Sequence, residues 1–272
     1  MEANKGVLFE DGVHTIFDLG NGTYRIDEEG IANCYLLIGE SKALLIDSGD
    51  GVGDIGSTVA SLTNKPVSLL LTHNHCDHSG GRYYFTEYFV ESDDRKLIYR
   101  ILSSRLASKS IAKEHKELVP TPKLCKKRHH FPHQIGIGSD FTIDLGNRLV
   151  RTHKVGGHTR GSIIILDERT KTMFAGDNIC PWLWLQLPGC ESLSKWLTAA
   201  KTILSYAKTY KAYSGHGDGL TSYEAIEGLI KYCEKILSEA KYGKFDHEKK
   251  TIKIDEDPNK IYRLVIKKSG LK

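Results

Sequence analysis

The tract Thr72-His73-Asn74-His75-Cys76-Asp77-His78 constrains this chain more than any other stretch. Three imidazoles and one carboxylate fall between residues 73 and 78. They come directly after an apolar run, 67–71, with the continuous hydrophobicity of a buried strand. On an extended backbone, side chains two residues apart share a side, so His73 and His75 can face one point. Asp77 and His78 follow the bend and can face a second point. Imidazole nitrogen and carboxylate oxygen together form a donor set that zinc accepts.

Three later positions repeat the same context. Gly156-Gly157-His158-Thr159 precedes a strand-like run at 162–166, and Ala175-Gly176-Asp177 closes a run at 172–175. Ser214-Gly215-His216-Gly217-Asp218 follows a short run at 212–213. Each sets a donor beside glycine at a strand end, where little side-chain bulk obstructs close approach. Added to the first cluster they bring the donors to seven, enough for two ions sharing one carboxylate.

The surroundings read as alternating strands and helices. Runs at 32–38 and 42–46 flank Gly39-Glu40-Ser41 as a hairpin. Asp93 or Asp94 is placed to cap a helix with Leu97, Ile98, Ile101, Leu102 and Leu106 on one face and basic residues on the other, ended by Pro120 and Pro122. Strands are expected at 141–143 and 149–153, and two helical stripes at Leu193, Trp196, Leu197, Ala200, Leu204, Ala207 and at Ala225, Leu229, Cys233, Ile236, Ala240. Runs at 251–254 and 262–266 predict a last hairpin. The strands-then-helix order appears twice, which suggests two similar halves packed face to face.

The 272 residues are 40% hydrophobic and 26% charged, the balance of a globular chain with a real core. No run approaches the roughly 18 apolar residues of a membrane span. The start, Met1-Glu-Ala-Asn-Lys, lacks a secretory pattern, and the six cysteines show no disulfide framework. Reduced thiols in a cytoplasmic protein are therefore expected. Net charge is +4, yet segment 95–133 holds eleven Lys/Arg against Glu114 and Glu117, or +9, leaving −5 elsewhere. That segment is either a solvated face or a patch for an anionic partner such as nucleic acid.

The motifs His-x-His-x-Asp-His, Gly-His-Thr-x-Gly-Ser, Ala-Gly-Asp and Gly-His-Gly, in this order, resemble the metallo-β-lactamase superfamily. Leu45-Ile46-Asp47-Ser48-Gly49 resembles that family's early strand-ending aspartate. The resemblance runs from about Asn33 to Asp218. It implies an αββα sandwich, two mixed β-sheets flanked by helices, with the metal site at one edge. One domain over 1–272 is expected, with a basic helical insertion at about 93–135 and a C-terminal helix plus hairpin at about 221–268. Carried over position by position, His73, His75 and His158 hold a first divalent ion, and Asp77, His78 and His216 a second. Asp177 bridges them, and Asp47 orients the ligand loop. Zinc is the first expectation, with iron and manganese as alternatives.

Asp177 points to the glyoxalase II, lactonase and phosphodiesterase branches, and His75 argues against a di-iron redox role. The expected activity is hydrolysis, by a hydroxide bridging the two ions, of an ester, thioester, lactone or related acyl bond of a small, partly apolar substrate. Asp77 would double as a proton shuttle. Thr159, Tyr83 or Tyr84 could supply a hydroxyl to the intermediate, and the sequence does not choose among them. Pro181 and Pro188 mark 178–189 as a loop, whose Trp182 and Trp184 with three leucines would wall the substrate site. The alternative is a phosphodiesterase or nuclease that engages an anionic substrate through 95–133. Cys125, His129, His130 and His133 fit no closed zinc site. Cys76 reads as a small residue near the donors rather than a nucleophile.

Overall fold

The computed structural model describes residues 6–96, 131–239, 244–246, 251–254 and 261–271. Its first eight strands pair in sequence order: β1 (Val7–Leu8), β2 (His14–Gly20), β3 (Thr23–Glu28), β4 (Ala32–Ile38), β5 (Ala43–Ile46), β6 (Val67–Leu70), β7 (Glu87–Glu91) and β8 (His133–Ile137). The first five run antiparallel, and Asn21-Gly22, both at positive φ, make the two-residue turn that such hairpins favour. From β5 onward the pairings are parallel. Parallel neighbours need a crossover, and helix α1 (Ile55–Leu62) supplies it between β5 and β6, its first turn capped by the Asp54 carboxylate at 2.9 Å from Ser57 N. The short helix α2 (Cys76–Ser79) follows β6.

The second half contributes β9 (Thr142–Asp144), β10 (Leu149–Lys154), β11 (Ile163–Asp167), β12 (Thr172–Phe174), β13 (Trp182–Leu185), α3 (Leu193–Tyr206), β14 (Lys211–Tyr213), β15 (Leu220–Thr221), α4 (Tyr223–Glu239), β16 (Lys244–Asp246), β17 (Thr251–Ile254) and β18 (Arg263–Lys267). Six of these strands form a second mixed sheet, ordered β15-β14-β12-β11-β10-β9. The other four form a small third sheet, ordered β13-β18-β17-β16.

Period-two alternation explains the layers. Leu37, Leu44 and Ile46 of the first sheet meet Ile163, Ile165 and Phe174 of the second in one core between the sheets. Their neighbours Leu36 and Leu45 point outward to Ile55 and Val59 of α1. Ile164 and Leu166 point the other way, to Trp196 and Leu197 of α3 and to Leu229 of α4. The result is helix, sheet, sheet, helix, as expected. A buried guanidinium fastens the two sheets: Arg148 donates to the carbonyls of Gly22 at 2.9 Å and Ile38 at 3.0 Å, and to Asp167 at 2.7 Å.

One expectation needs correction, and two others gain detail. The stretch at 182–185 is strand β13, not a loop, because Leu183 and Leu185 are buried in the α3/α4 core while pairing holds the backbone extended. The last hairpin is part of a four-stranded sheet that includes β13. Asp94 reaches distant parts of the chain. Its carboxylate is buried against residues 74, 159 and 161. The helix expected from Leu97 lies outside the described residues.

Candidate metal centre

Each of the expected donors sits just beyond a strand or at a glycine turn. The tract 73–78 leaves β6, Asp177 leaves β12, and His216 leaves β14. Asp47, just beyond β5, holds a left-handed φ of 59° and sets the first of these loops. Its Oδ1 accepts from Thr72 N at 2.7 Å, and its Oδ2 accepts from the Thr72 hydroxyl at 2.7 Å and meets His78 Nδ1 at 2.8 Å.

Two donor groups form. His73, His75 and His158 are buried, and one donor atom from each lies within 4.8 Å of the others. His75 Nδ1 is 2.9 Å from His158 Nε2, while the outer nitrogen of His75 meets the Pro188 carbonyl at 2.9 Å. His73 Nε2 is buried and has no hydrogen-bond partner among the described residues. Asp77, His78, Asp177 and His216 form the second group. His78 Nε2 is 3.1 Å from Asp177 Oδ1, and His216 Nε2 is 3.1 Å from Asp177 Oδ2 and 3.4 Å from Asp77 Oδ2. The other nitrogen of His216 is held by the Ile31 carbonyl. Asp177 Oδ2 also lies 3.5 Å from His158 Nε2 and 3.9 Å from His73 Nε2, so this carboxylate stands between the groups.

The two groups differ electrostatically. Burial holds His73 well below the usual histidine range and His158 down at about 3, keeping both neutral. Burial opposes charge at His78 too, but Asp177, Asp77 and Asp47 raise it well above the usual range. Asp177, though buried, is kept well below the usual carboxylate range by His216 and His78. In the second group, protons on His78 and His216 thus balance the neighbouring carboxylates, a place that a cation could take. His/Asp groups of this kind fit a metal site.

Further side chains hold the donors in place. Asp94 accepts from Asn74 N at 3.1 Å, from the Thr159 hydroxyl at 2.8 Å and from Gly161 N at 2.9 Å. Asn178 Oδ1 accepts from His158 N at 2.8 Å. Gly157, at φ +94°, lies so close that a Cβ there would sit 2.5 Å from that oxygen. Arg25 and Asn33 both donate to the Gly217 carbonyl, at 3.1 and 3.0 Å, next to His216. Sequence reasoning missed these partners, since each acts on a backbone group far away in the chain.

Thr159 is fully buried with its hydroxyl committed to Asp94, which removes it as a donor to a reaction intermediate. The Tyr83 hydroxyl accepts from Arg82 at 2.7 Å, and Tyr84 packs beside Gly56 and the α1 core. Burial, with Asp77 and Asp50 nearby, pushes the Cys76 thiol up to about 12, which leaves no thiolate for a nucleophile. Trp182 and Trp184 are 61% and 47% exposed. The expected apolar wall is halved, because Leu183 and Leu185 face the core. His133 opens β8 and is exposed. Cys125, His129, His130 and most of the basic segment lie outside the described residues.

A family model described as the metallo-beta-lactamase superfamily matches residues 27–216. The chain is 27% identical over 179 residues to acyl-coenzyme A thioesterase MBLAC2 of Gallus gallus, spanning 58% of this chain and 63% of that protein. It is 26% identical over 203 residues to an atrochrysone carboxyl ACP thioesterase of Aspergillus fumigatus, spanning 73% of this chain and 54% of that one. The matches therefore cover under two thirds of these curated relatives. An archaeal metallo-beta-lactamase superfamily protein from Sulfolobus tokodaii superposes with a TM-score of 0.54 at 20% identity, covering 80% of this chain and 84% of that one. This last likeness concerns the fold.

Proposed function

This chain belongs to the metallo-β-lactamase superfamily, and on that premise we propose that it is a metal-dependent hydrolase that cleaves acyl thioesters. The observation that carries this reading is the place of Asp177, one carboxylate within 3.9 Å of donor nitrogens from both groups. The donor set suits a pair of divalent ions. His73 Nε2 is an orphaned buried nitrogen aimed at Asp177, while the outer nitrogens of His75, His78 and His216 are already held by Pro188, Asp47 and Ile31. His73, His75 and His158 would hold one divalent ion and Asp77, His78 and His216 another, with Asp177 shared. Nitrogen and oxygen donors suit zinc first, then iron or manganese. When bound, such a pair supplies Lewis acidity that polarises the acyl carbonyl and acidifies water near neutral pH.

The chain's own residues do the rest. Asp77 and His216 are the most open donors, each 26% exposed, so the substrate approaches from their side. Asp77 Oδ2 lies at that opening and is the group we assign to carry a proton to the departing thiolate. Asp47 and Asp94 hold the two loops so that the donors do not reorganise during the reaction. The thioester preference draws on the names of the relatives, and the ester, lactone and phosphodiester readings compete with it. A panel of acyl thioesters, aryl esters, lactones and bis-p-nitrophenyl phosphate, run on metal-loaded protein with a chelator control, tests it. Thioesters should be turned over fastest, and the chelator should abolish turnover. Faster cleavage of the phosphodiester would replace this reading with the nuclease one.

A further inference from the structure

Strand β13 starts five residues after Asp177 and ends three before Pro188, whose carbonyl holds His75. An extended chain spans at most about 3.6 Å per residue, so Trp184 lies within roughly 14 Å of Pro188 and Trp182 within roughly 18 Å of Asp177. Parallel pairing sets Trp182 opposite Arg263 and Trp184 opposite Val265. Leu183 and Leu185, with Leu264 and Ile266 beside them, fill the core on one face. The other face shows solvent the two tryptophans, flanked by the exposed Arg263 and Lys267. Paired strands lie about 4.8 Å apart and alternate residues about 7 Å apart, so two indoles and two cations share one narrow strip. At its Lys267 end, the following turn brings Gly270 near the Glu191 carbonyl, and the Glu191 carboxylate accepts from Gly157 N beside His158.

Two exposed indoles on a sheet face mark a contact surface. A fatty chain would call for an enclosed apolar wall, and this strip is open and cationic. An aromatic base stacks on indole whatever its sequence of ring atoms, and guanidinium and ammonium groups attract phosphate. Resting on the thioesterase reading above, we propose that the strip binds the leaving-group half of the substrate, the phosphorylated adenine nucleotide of a coenzyme A thioester. The base lies against Trp182 or Trp184 and the phosphates against Arg263 and Lys267. The pantetheine arm runs past the Pro188 loop to the donors.

The test compares an acyl-coenzyme A with the same acyl group on N-acetylcysteamine, which lacks the nucleotide. In Trp182→Ala, Trp184→Ala and the double variant Arg263→Gln/Lys267→Gln, the ratio of kcat/KM for the long over the short thioester should fall at least fivefold, through KM. Adenosine 3′,5′-bisphosphate should quench tryptophan fluorescence saturably in the parent, with or without metal, and bind at least fivefold more weakly to the double variant. An unchanged ratio, or absence of saturable binding in the parent, overturns the proposal. So does unaltered nucleotide binding in variants that instead lose affinity for anionic vesicles or change oligomeric state. If the parent cleaves neither thioester, the thioesterase reading fails by itself, and bisphosphate binding still decides whether the strip is a nucleotide site.

Discussion

Thr159 donates its hydroxyl to Asp94 Oδ2 at 2.8 Å, and the same oxygen accepts from Asn74 N at 3.1 Å. One buried carboxylate thereby joins the loop carrying His73 and His75 to the loop carrying His158. The first donor group exists as a group because these loops, about 85 residues apart in sequence, are clamped to one point.

Replacing Asp94 by Ala leaves two backbone N–H groups unmatched in the interior and leaves the Thr159 hydroxyl with Ser162 alone. Metal content should fall from about two equivalents toward one, and kcat/KM by about 10–100-fold, the range for outer partners of metal ligands. Asp94→Asn, which keeps one acceptor oxygen, should fall between. Elemental analysis after gel filtration reads the result, and full metal content in Asp94→Ala would remove the clamp from the account.

Asp77→Asn should lower kcat by at least about 10²-fold, the scale of general acid–base contributions, in protein verified to carry its metal. Near-parent kcat in such protein would rule out Asp77 as the proton carrier.

Protein purified without chelator should contain close to two ions per chain, and stripping them should lower Tm, since a ligand bound only by the folded state stabilises it. A single equivalent that added metal does not increase would count against sharing of Asp177 between the donor groups.

A separate cluster predicts a pH dependence away from the donors. His14 is buried, with Nδ1 2.6 Å from Asp11 Oδ2 and 2.9 Å from the Thr58 hydroxyl of α1. Burial opposes its charge, yet Asp11 and Glu28 raise it above the ordinary 6.5. Burial also opposes ionisation of Asp11, but His14 holds it below the usual carboxylate range. A raised histidine stabilises fully below its unfolded value and loses that contribution as pH climbs through the folded one. The lowered Asp11 contributes above about 3.8 and loses it in acid. His14→Gln should cost roughly 1–3 kcal/mol at pH 6 and much less above the folded value. Thermal melts of both proteins from pH 5 to 10 measure the difference, and a gap independent of pH would mean that His14 acts uncharged.

Four of the donors were legible at once because they crowd into 73–78, and the other three because each lies beside glycine at one end of a strand-like run. The layered fold was legible for a related reason, since the alternation at 36–37, 44–46 and 163–166 decides which residues face which layer. Strand β13 was hidden because Pro181 and Pro188 bracket it closely, and the two faces of its four apolar residues differ only by size, Trp against Leu. Asp94 was hidden because its neighbours Leu97 and Ile98 suggested a cap, whereas its partners lie at 74, 159 and 161. Pro188 and Ile31 contribute through carbonyl oxygens, which every residue has. No side-chain pattern announces them.

The bond from His216 to the Ile31 carbonyl joins residues 185 apart. Contacts of such long span are entropically expensive to close early and come late in folding. A chain with only its first half collapsed would carry the whole 73–78 tract and still lack the second donor group. Regain of tight metal binding during refolding should therefore coincide with the last docking of the two sheets, so that a dye-displacement signal from the metal would clock the completion of the whole molecule rather than of any one element.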